Sequence, residues 1–251
     1  MNVVIFGGTT EGRALSRQLS EWGAEVTVSV ATAYGAEEQG TLPGVAVRIG
    51  PMSPEEMDAL LAGADLCVDA THPYARHVSQ SVRTACRRVG TAYHRLLRRA
   101  SAADGTAAEV ADAGAAAEFL AEREGNILLT TGAKELSAFA GLDPARLYPR
   151  ILPTHGGLDA CEALGIPHRN IIAMQGPFSR EMNEAILRQY HIRWLVTKDG
   201  GAPGGFPEKL AAAKAAGAAA VVLRRPEEEG DCYEEILALC QRKIAQKRQR
   251  S

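Results

Sequence analysis

The sequence predicts an α/β fold of two parallel-sheet domains with a cleft between them. Short runs rich in Val and Ile alternate with amphipathic stretches of helical length, which is typical of βαβ units. The 251 residues are enough for two small domains that each bury a core. Each half opens with a strand that leads into a turn of Thr and Gly, at residues 7–10 and 130–132. Because ligands of open parallel sheets bind beyond the carboxyl ends of the strands, one shared cleft is expected.

The first domain is predicted to span residues 1–100. Its apolar runs predict strands, and the amphipathic stretches between them predict helices. The predicted strands cover residues 2–6, 25–30, 45–49, 66–69 and 91–96, and the predicted helices cover residues 11–22, 54–61 and 74–89. Residues 100–114 are rich in Ala, Ser, Asp and Gly, which indicates a linker with one short strand at 108–110.

The second domain is predicted to span residues 107–251 by the same alternation of patterns. Its predicted strands cover residues 126–130, 146–151, 170–174, 194–197 and 219–223, and its predicted helices cover residues 115–123, 157–164, 180–189, 206–216 and 233–245. The basic tail at 243–250 is interpreted as a solvated helix end, where cations suit the helix dipole.

The composition is that of an ordinary folded cytoplasmic protein. The net charge of −2 does not by itself indicate a nucleic-acid partner. Five cysteines without a CxxC pair predict reduced thiols and argue against a disulfide framework or a structural zinc site. We expect no signal peptide and no membrane span, because no basic leader and no long apolar run is present.

The first motif is GGTTEGR at residues 7–13, which follows a predicted buried strand. Glycines let the backbone approach a phosphate closely, and a helix N-terminus favours an anion. The motif departs from the strict GxGxxG fingerprint, so a turn that merely needs Gly and a Thr cap stays an alternative. The predicted cofactor-phosphate residues are Gly7, Gly8, Thr9, Thr10, Glu11, Gly12 and Arg13.

The second predicted strand ends without an acidic residue. Sites for NAD usually place Asp or Glu there to bond the ribose 2′-hydroxyl. Here the strand ends in VSVAT at residues 28–32. Arg13 could instead pair with a 2′-phosphate, and Ser29 or Thr32 could bond the same group. NADPH is therefore favoured as cofactor, and NADH stays open.

The segment DATHPYA at residues 69–75 follows another predicted strand. Pro73 suits the first position of a helix, and His72 suits the cap region. His72 is also a candidate catalytic residue, either as proton donor or in positioning, because an imidazole at a strand end can donate to a reacting group. A packed capping histidine is the alternative. Thr71, His72 and Tyr74 are candidate substrate-binding residues.

Arginines concentrate between residues 76 and 99, where no acidic residue occurs. The block consists of Arg76, Arg83, Arg87, Arg88, Arg95, Arg98 and Arg99. Arginine pairs with carboxylates and phosphates, so a polyanionic ligand would explain Arg76 and Arg95. RNA could use the same charge, but no aromatic platform accompanies it.

Three strand-end loops in the second half carry the remaining candidates: TTGAK at 130–134, QGPFS at 175–179 and the glycine-rich TKDGGAPGG at 197–205. A loop so rich in Gly cannot build core, so contact with a ligand is expected. Ser179 is predicted to cap the next helix, and Lys198 could alternatively form a salt bridge with Asp199 or Glu208. The candidates are Thr131 and Gly132 for the cofactor, and Gln175, Ser179, Lys198, Asp199, Gly204 and Gly205 for the substrate.

Other reaction classes lack their motifs. The sequence has no Ser/His/Asp arrangement, no zincin motif and no Walker A loop. His72 and His77 are five residues apart, which is poor spacing for two ligands on one helix face, so no metal is predicted.

Taken together, these segments resemble the precorrin-6A reductases and cobalt-precorrin-6A reductases of corrin biosynthesis. The motifs occur in family order across essentially the whole chain: GGTTEGR, DATHPYA, YHRLLR, LLTTGAKEL, QGPFS and TKDGG-APGG-FPEK. Two positions depart from the family pattern. The usual THPF ends in Tyr74 here, and the usual TKDSG has Gly200 in place of the serine, so the loop lacks that hydroxyl.

The resemblance implies two Rossmann-like domains and hydride transfer from a reduced nicotinamide to a ring double bond, with a proton added at the neighbouring carbon. It also implies a polycarboxylate tetrapyrrole as substrate. Whether the macrocycle carries cobalt stays open. We expect a monomer or weak homo-oligomer. Three alternatives remain: an NAD(P)-binding regulatory module without catalysis, a transferase for another nucleotide-like donor, and an RNA-binding protein.

Overall fold

The chain forms two compact α/β units. The structure, a computed structural model, describes residues 1–97, 106–201, 204–225 and 228–250. The first unit comprises Met1–Arg99 and Pro226–Ser251, and the second comprises Ala100–Arg225. Arg98, Arg99 and residues 100–105 of the predicted linker lie outside the described residues.

Strands and helices alternate along the described residues. The strands are β1 (Asn2–Phe6), β2 (Glu25–Val30), β3 (Val45–Ile49), β4 (Leu66–Asp69), β5 (Tyr93–Arg95), β6 (Thr106–Val110), β7 (Asn126–Leu129), β8 (Leu147–Ile151), β9 (Ile172–Ala173), β10 (Ile192–Lys198) and β11 (Ala219–Leu223). The α-helices are α1 (Thr10–Glu21), α2 (Ala33–Gln39), α3 (Pro54–Leu61), α4 (Arg76–Val89), α5 (Ala113–Ala121), α6 (His155–Glu162), α7 (Arg180–Gln189), α8 (Phe206–Ala216) and α9 (Tyr233–Arg250).

The first unit is built on a five-stranded parallel sheet with the order β3-β2-β1-β4-β5. The four residues of β1 that follow Asn2 are Val, Val, Ile and Phe, and all four are buried. This is expected of a central strand that is covered on both faces. The strand order reverses between β1 and β4. In an open parallel sheet, the crevice beyond the carboxyl ends at such a reversal is where ligands bind.

The second unit is built on a six-stranded parallel sheet with the order β6-β11-β10-β7-β8-β9. The short strand expected in the linker proves to be β6, which forms one edge of this sheet. A 3₁₀ helix, Ala133–Phe139, follows β7 in place of a full α-helix. Two parallel sheets are therefore confirmed, and the cleft between the domains stays a prediction.

The C-terminal helix requires a correction to the predicted domain boundary. Residues 107–251 were expected to form the second domain, but α9 packs on the core of the first unit. Its apolar face, formed by Ile236, Cys240 and Ile244, joins the cluster around β1 and α1. The basic tail is also more than a solvated end, because Lys247 pairs with Asp65 at 2.6 Å. The helix therefore completes the first unit after the chain has built the second.

Local sequence explains most helix starts. Ser53 and Glu56 form a capping box at α3, and Ser179 caps α7 as predicted by accepting a hydrogen bond from Met182 N. The expected start of α4 is wrong. The helix begins at Arg76 with Ala75 as its N-cap, so His72 and Pro73 lie in the preceding turn rather than at its cap and first position.

Candidate functional site

A cavity of about 810 Å³ opens at the carboxyl edge of the first sheet. Its size falls within the range of roughly 300–1,000 Å³ found for small-molecule sites. Residues at or just after the ends of β1 to β4 contribute to its wall. The lining includes Gly7, Gly8, Thr9, Thr10, Arg13, Ser29, Val30, Thr32, Tyr34, Glu38, Gly50, Met52, Thr71, His72, His77 and Gln80. Five of the seven residues of the GGTTEGR motif therefore face this cavity, as do Thr71 and His72.

The glycines of the first turn have separate roles. A Cβ at Gly7 would lie 2.9 Å from Val28 Cγ1, so only Gly fits against β2. Gly8 has φ +113, and a Cβ there would meet no atom within 4 Å, which leaves open space beside its backbone. Gly12 does not line the cavity. A Cβ there would meet Ala70 Cβ at 2.9 Å, so Gly12 lets α1 approach the end of β4.

Thr9 joins the two strand ends at the reversal. Its hydroxyl accepts a hydrogen bond from Gly12 N at 3.2 Å and donates to Ala70 O at 2.8 Å. The N-cap role is therefore present, and the hydroxyl hydrogen is bonded within the protein rather than offered to a ligand. Thr10 is exposed and lines the cavity, whereas Glu11 does not line it.

Arg13 lies in the cavity wall together with Glu38. Its Nη1 donates to the carbonyl oxygen of Glu38, and the Glu38 carboxylate lies 3.7 Å away. Ser29 and Thr32 of the β2 end line the same region, and Thr32 caps α2. An acidic residue does therefore reach this end of the cavity, from α2 rather than from the strand end where sequence reasoning sought it.

A buried network holds the turn that follows β4. Asp69 is fully buried, and its Oδ1 accepts hydrogen bonds from Thr71 Oγ1 at 2.7 Å and from Arg95 Nη1 at 2.9 Å. Its Oδ2 accepts a hydrogen bond from the Tyr93 hydroxyl at 2.9 Å. Burial, reinforced by the Asp69 charge, raises the pKa of Tyr93 well above its usual value, so the phenol remains a donor. The network fixes Thr71 at the cavity wall.

His72 is placed at the cavity by the turn rather than by a helix. The amide of Tyr74 donates to His72 Nδ1 at 3.4 Å, and the two rings lie 5.5 Å apart. The turn closes with a hydrogen bond of 2.8 Å from Ala75 N to His72 O. Tyr74 lies against His72 and does not itself line the cavity.

A second hollow of about 470 Å³ adjoins α4 in the same unit. His77 and Gln80 line both spaces, so the two lie side by side along the helix. The remaining lining residues are Arg76, Ser79, Arg83, Tyr93, Arg95, Glu228 and Glu229.

Arg95, which was expected to bind substrate, has carboxylate partners inside the protein. Its side chain is 3% exposed, and its donors already bind Asp69 and Glu228, with Nη2 to Glu228 Oε2 at 2.9 Å. Such a doubly paired guanidinium is a structural element of the wall. Arg76 is exposed and opens onto the second hollow, and it makes no ion pair within the described part of the chain.

The second unit gathers its candidates at the carboxyl ends of its own strands. Thr131 follows β7, is 8% exposed, and its Oγ1 has no hydrogen-bond partner among the described residues. Gly132 follows with φ +91. Lys198 at the end of β10 binds Glu135 at 2.8 Å, a partner that the sequence did not suggest.

The glycine-rich loop is held partly by Asp199. Its Oδ1 accepts a hydrogen bond from Gly201 N at 2.9 Å, and Arg225 lies 3.5 Å away. Gly204 N donates to Gly201 O, and Gly205 adopts φ +66 at the N-cap of α8. Gln175 is exposed in the turn after β9.

Sequence reasoning missed two cations in the second unit, Arg150 on β8 and Lys209 on α8. Arg150 is 7% exposed, and burial lowers its pKa to about 10. Burial also lowers the pKa of Lys209 to about 8, and the nearby Arg150 charge adds to the shift. An arginine within a buried strand was a usable signal, since charged residues are almost never buried without a reason.

Among the described residues, no helix is long and apolar enough to cross a membrane. Within the same ranges, no three side chains of His, Cys, Asp or Glu are grouped as metal ligands.

Comparisons with known proteins give one consistent result. A family model described as "Precorrin-6x reductase CbiJ/CobK" matches residues 2–241. A cobalt-precorrin-6A reductase of Priestia megaterium is 35% identical over 239 residues, which cover 92% of this chain and 93% of the relative. A precorrin-6A reductase of Rhodococcus erythropolis is 34% identical over 234 residues, or 89% of each chain. A solved structure described as "CobK precorrin-6A reductase" matches with a TM-score of 0.75 at 25% identity, covering 95% of this chain and 96% of that one.

Proposed function

Because this chain belongs to the precorrin-6x reductase family, a family of reductases of cobalamin biosynthesis, we propose that it reduces one ring double bond of precorrin-6A or its cobalt complex with NADPH. Hydride is added to one carbon and a proton to its neighbour, and the cofactor leaves as NADP⁺. The observation that carries the proposal is the cavity of about 810 Å³ at the strand reversal of the first sheet. Family membership favours this activity over a regulatory, transferase or RNA-binding role.

The residues of the first turn fit a dinucleotide phosphate. Open space beside the Gly8 backbone lets a phosphate approach, and α1 begins directly after the turn at Thr10. Thr10 can donate from the exposed side of the cavity wall. Gly7 and Gly12 serve the same site indirectly, because they let the turn and α1 pack closely on β2 and β4.

Arg13 is proposed to choose NADPH over NADH. A 2′-phosphate is a stronger partner for a guanidinium than the carbonyl and the more distant carboxylate of Glu38. Ser29 and Thr32 lie in the same stretch of wall. NADH remains the alternative, because Glu38 could accept from a ribose hydroxyl. Arg13→Ala should raise the KM for NADPH and leave the KM for NADH nearly unchanged.

A bound nicotinamide supplies the hydride, and the chain supplies position and protons. His72 lies in the cavity wall and is the proposed proton donor, with Thr71 and Tyr74 holding its turn. Arg76 is proposed to bind a substrate carboxylate from the adjoining hollow. From the second unit, Thr131 and Gly132 are proposed to contact the cofactor. The substrate contacts proposed there come from Gln175, Ser179, Lys198, Asp199, Gly204 and Gly205.

The test is anaerobic loss of nicotinamide absorbance. The protein is mixed with NADPH or NADH and with precorrin-6A or its cobalt complex. Oxidation of the nicotinamide that requires the macrocycle is expected. The mixture that reacts fastest identifies the preferred cofactor and whether the preferred macrocycle carries cobalt. A protein that binds NADPH but oxidises it in none of the four mixtures would instead be a regulatory module.

The role of His72 is tested separately. His72→Ala should lower kcat at saturating substrate by about 100-fold, the lower limit typical of a lost general acid. His77→Ala is the matched control, since His77 lines the same cavity from α4 without following a strand end. An unchanged kcat in the His72 variant would assign the proton to solvent.

A further inference from the structure

Among the described residues, Arg150 is a buried cation without a carboxylate partner. Its Nη1 donates to Asn183 Oδ1 at 2.7 Å, and the guanidinium carbon lies 4.0 Å from the centre of the Phe178 ring. Within the described part of the chain it makes no ion pair. An amide and a ring solvate a buried guanidinium only partly, because neither carries a full negative charge.

A second cation, Lys209, lies close enough to Arg150 for the two positive charges to repel each other. Lys209 donates from Nζ to Gly204 O at 3.2 Å, and burial followed by the charge of Arg150 lowers its pKa. Its neighbour Glu208 opposes this shift. Yet Glu208 Oε2 is buried without a hydrogen-bond partner among the described residues. Among the described residues, Glu208 therefore leaves this oxygen unsatisfied and does not bridge the two cations with it.

Two loops meet at this pair. Phe178 belongs to the loop before α7, and Gly204 and Gly205 belong to the loop before α8. A Cβ at Gly205 would lie 3.9 Å from Phe178 O, so the two loops lie side by side. The ring of Phe178 from the first loop contacts Arg150, and Gly204 of the second loop accepts a hydrogen bond from Lys209. Both loops follow the carboxyl ends of strands, which is where open parallel sheets bind ligands.

We propose that Arg150 and Lys209 form an oxyanion site that takes a carboxylate of the tetrapyrrole substrate. An oxyanion would supply the full negative charge that Arg150 lacks, would add to that of Glu208 at Lys209, and would accept from both cations. The inference rests on the proposed function for the identity of the substrate. A phosphate of the dinucleotide has the same recognition chemistry, so the test includes both sources.

The charges that act on Lys209 define the expected pH behaviour. Arg150 acts from β8 and Glu208 from the same helix. Helix α7 packs on α8 and brings Glu184 paired with Arg188, whose Nη2 also donates to Ala215 O. Because that pair is internally neutralised, an added anion should change the titration of Lys209 mainly through direct contact.

The first experiment detects binding without catalysis. In full-length protein labelled with ¹³C and ¹⁵N lysine, the side-chain signal of Lys209 is assigned with Lys209→Arg and titrated against pH. Precorrin-6A without reductant, citrate and NADP⁺ are the three probes. A carboxylate site predicts that precorrin-6A and citrate raise the Lys209 pKa by about one unit, the shift that accompanies tenfold tighter binding to the charged form. The signal of exposed Lys214 on the same helix should move little.

Each other outcome overturns part of the proposal. A shift with NADP⁺ alone would reject the carboxylate and assign the site to the cofactor. No shift with any of the three probes would reject the oxyanion site. Citrate tests the oxyanion site without turnover. A protein that fails to oxidise NADPH with any macrocycle would therefore refute the proposed function, while the citrate titration of Lys209 would still decide whether the oxyanion site exists.

The second experiment measures kinetics. Lys209→Gln should raise the KM for the macrocycle about tenfold, the effect of losing one hydrogen bond to a charged group, with kcat and the KM for NADPH unchanged. Wild-type KM should rise above about pH 8 as Lys209 loses its proton. Lys209→Arg should restore low KM and remove that pH dependence. Lys214→Gln is the matched control, and a Lys209→Gln variant with wild-type KM at every pH would contradict the assignment.

Discussion

Arg95 and Arg150 are two buried arginines in opposite electrostatic settings. Their exposures are similar, at 3% and 7%, and each lies near the carboxyl end of a parallel strand. Arg95 is paired with Asp69 and Glu228, whereas Arg150 has an amide oxygen and an aromatic ring. Burial alone therefore does not tell a structural cation from a functional one. The partners decide, because a compensated charge is already neutralised inside the protein, whereas an uncompensated charge can pair with a ligand.

The largest expected effect comes from breaking the compensated pair. Arg95→Met should destabilise the first unit by about 3–5 kcal/mol, because fully buried Asp69 would lose its cation. Urea unfolding followed by Trp fluorescence measures this in a Trp194→Phe background, since the remaining Trp22 lies in the first unit. Arg87→Met, on the exposed face of α4, is the control. A loss below about 1 kcal/mol would mean that the Asp69 network is not structural.

The second effect concerns how closely α1 approaches the strand reversal. Gly12→Ala should cost about 1–3 kcal/mol of unfolding free energy, because the new Cβ would lie 2.9 Å from Ala70 Cβ. It should also weaken NADPH binding, since the helix start beside the cavity must shift. Gly63→Ala is the control, as a Cβ there meets no atom within 4 Å. Equal stability of the two variants, measured by urea unfolding, would show that α1 can move without cost.

Local patterns predicted the sheets well and the long-range partners poorly. The bounds of β1 to β4, the GGTTEGR turn and the Ser179 cap follow from neighbouring residues, which is why the sequence indicates them. Arg95 and its partner Glu228 are 133 residues apart, so the sequence showed the arginine but not the carboxylate that neutralises it. The arginine block therefore suggested a substrate anchor where the structure has an internal ion pair.

The misassigned helix teaches the same point. The apolar face of α9 has the same period whichever sheet it covers, so its sequence cannot show that it packs on the first unit. The start of α4 failed for a different reason. Pro73 is compatible with a turn as well as with a helix start, and the hydrogen bond from Ala75 N to His72 O makes it a turn.

The third expected effect is a pH dependence of stability from Lys209. Its pKa falls from 10.5 to about 8 on folding, so between these values the unfolded chain holds a proton that the folded chain has lost. Stability should therefore rise with pH across that window and be lower below it, with a gain on the order of 1 kcal/mol because part of the side chain is solvated. Urea unfolding of the second unit, followed through Trp194 in a Trp22→Phe background, measures it. Lys209→Met should flatten the slope, and a slope unchanged in that variant would place the proton on another group.

The smallest expected effect completes the comparison between the arginines. Arg150→Met removes an uncompensated buried charge and keeps most of the side-chain volume. The gain in desolvation is offset by the loss of the hydrogen bond to Asn183, so stability should stay within about 1 kcal/mol of wild type. Asn183 itself remains anchored by its Nδ2 hydrogen bonds to the carbonyl oxygens of Phe178 and Ser179. The same unfolding assay through Trp194 checks this. A loss of about 3–5 kcal/mol, equal to that of Arg95→Met, would mean that Arg150 is structural after all and that its partners, not its ligand, account for its burial.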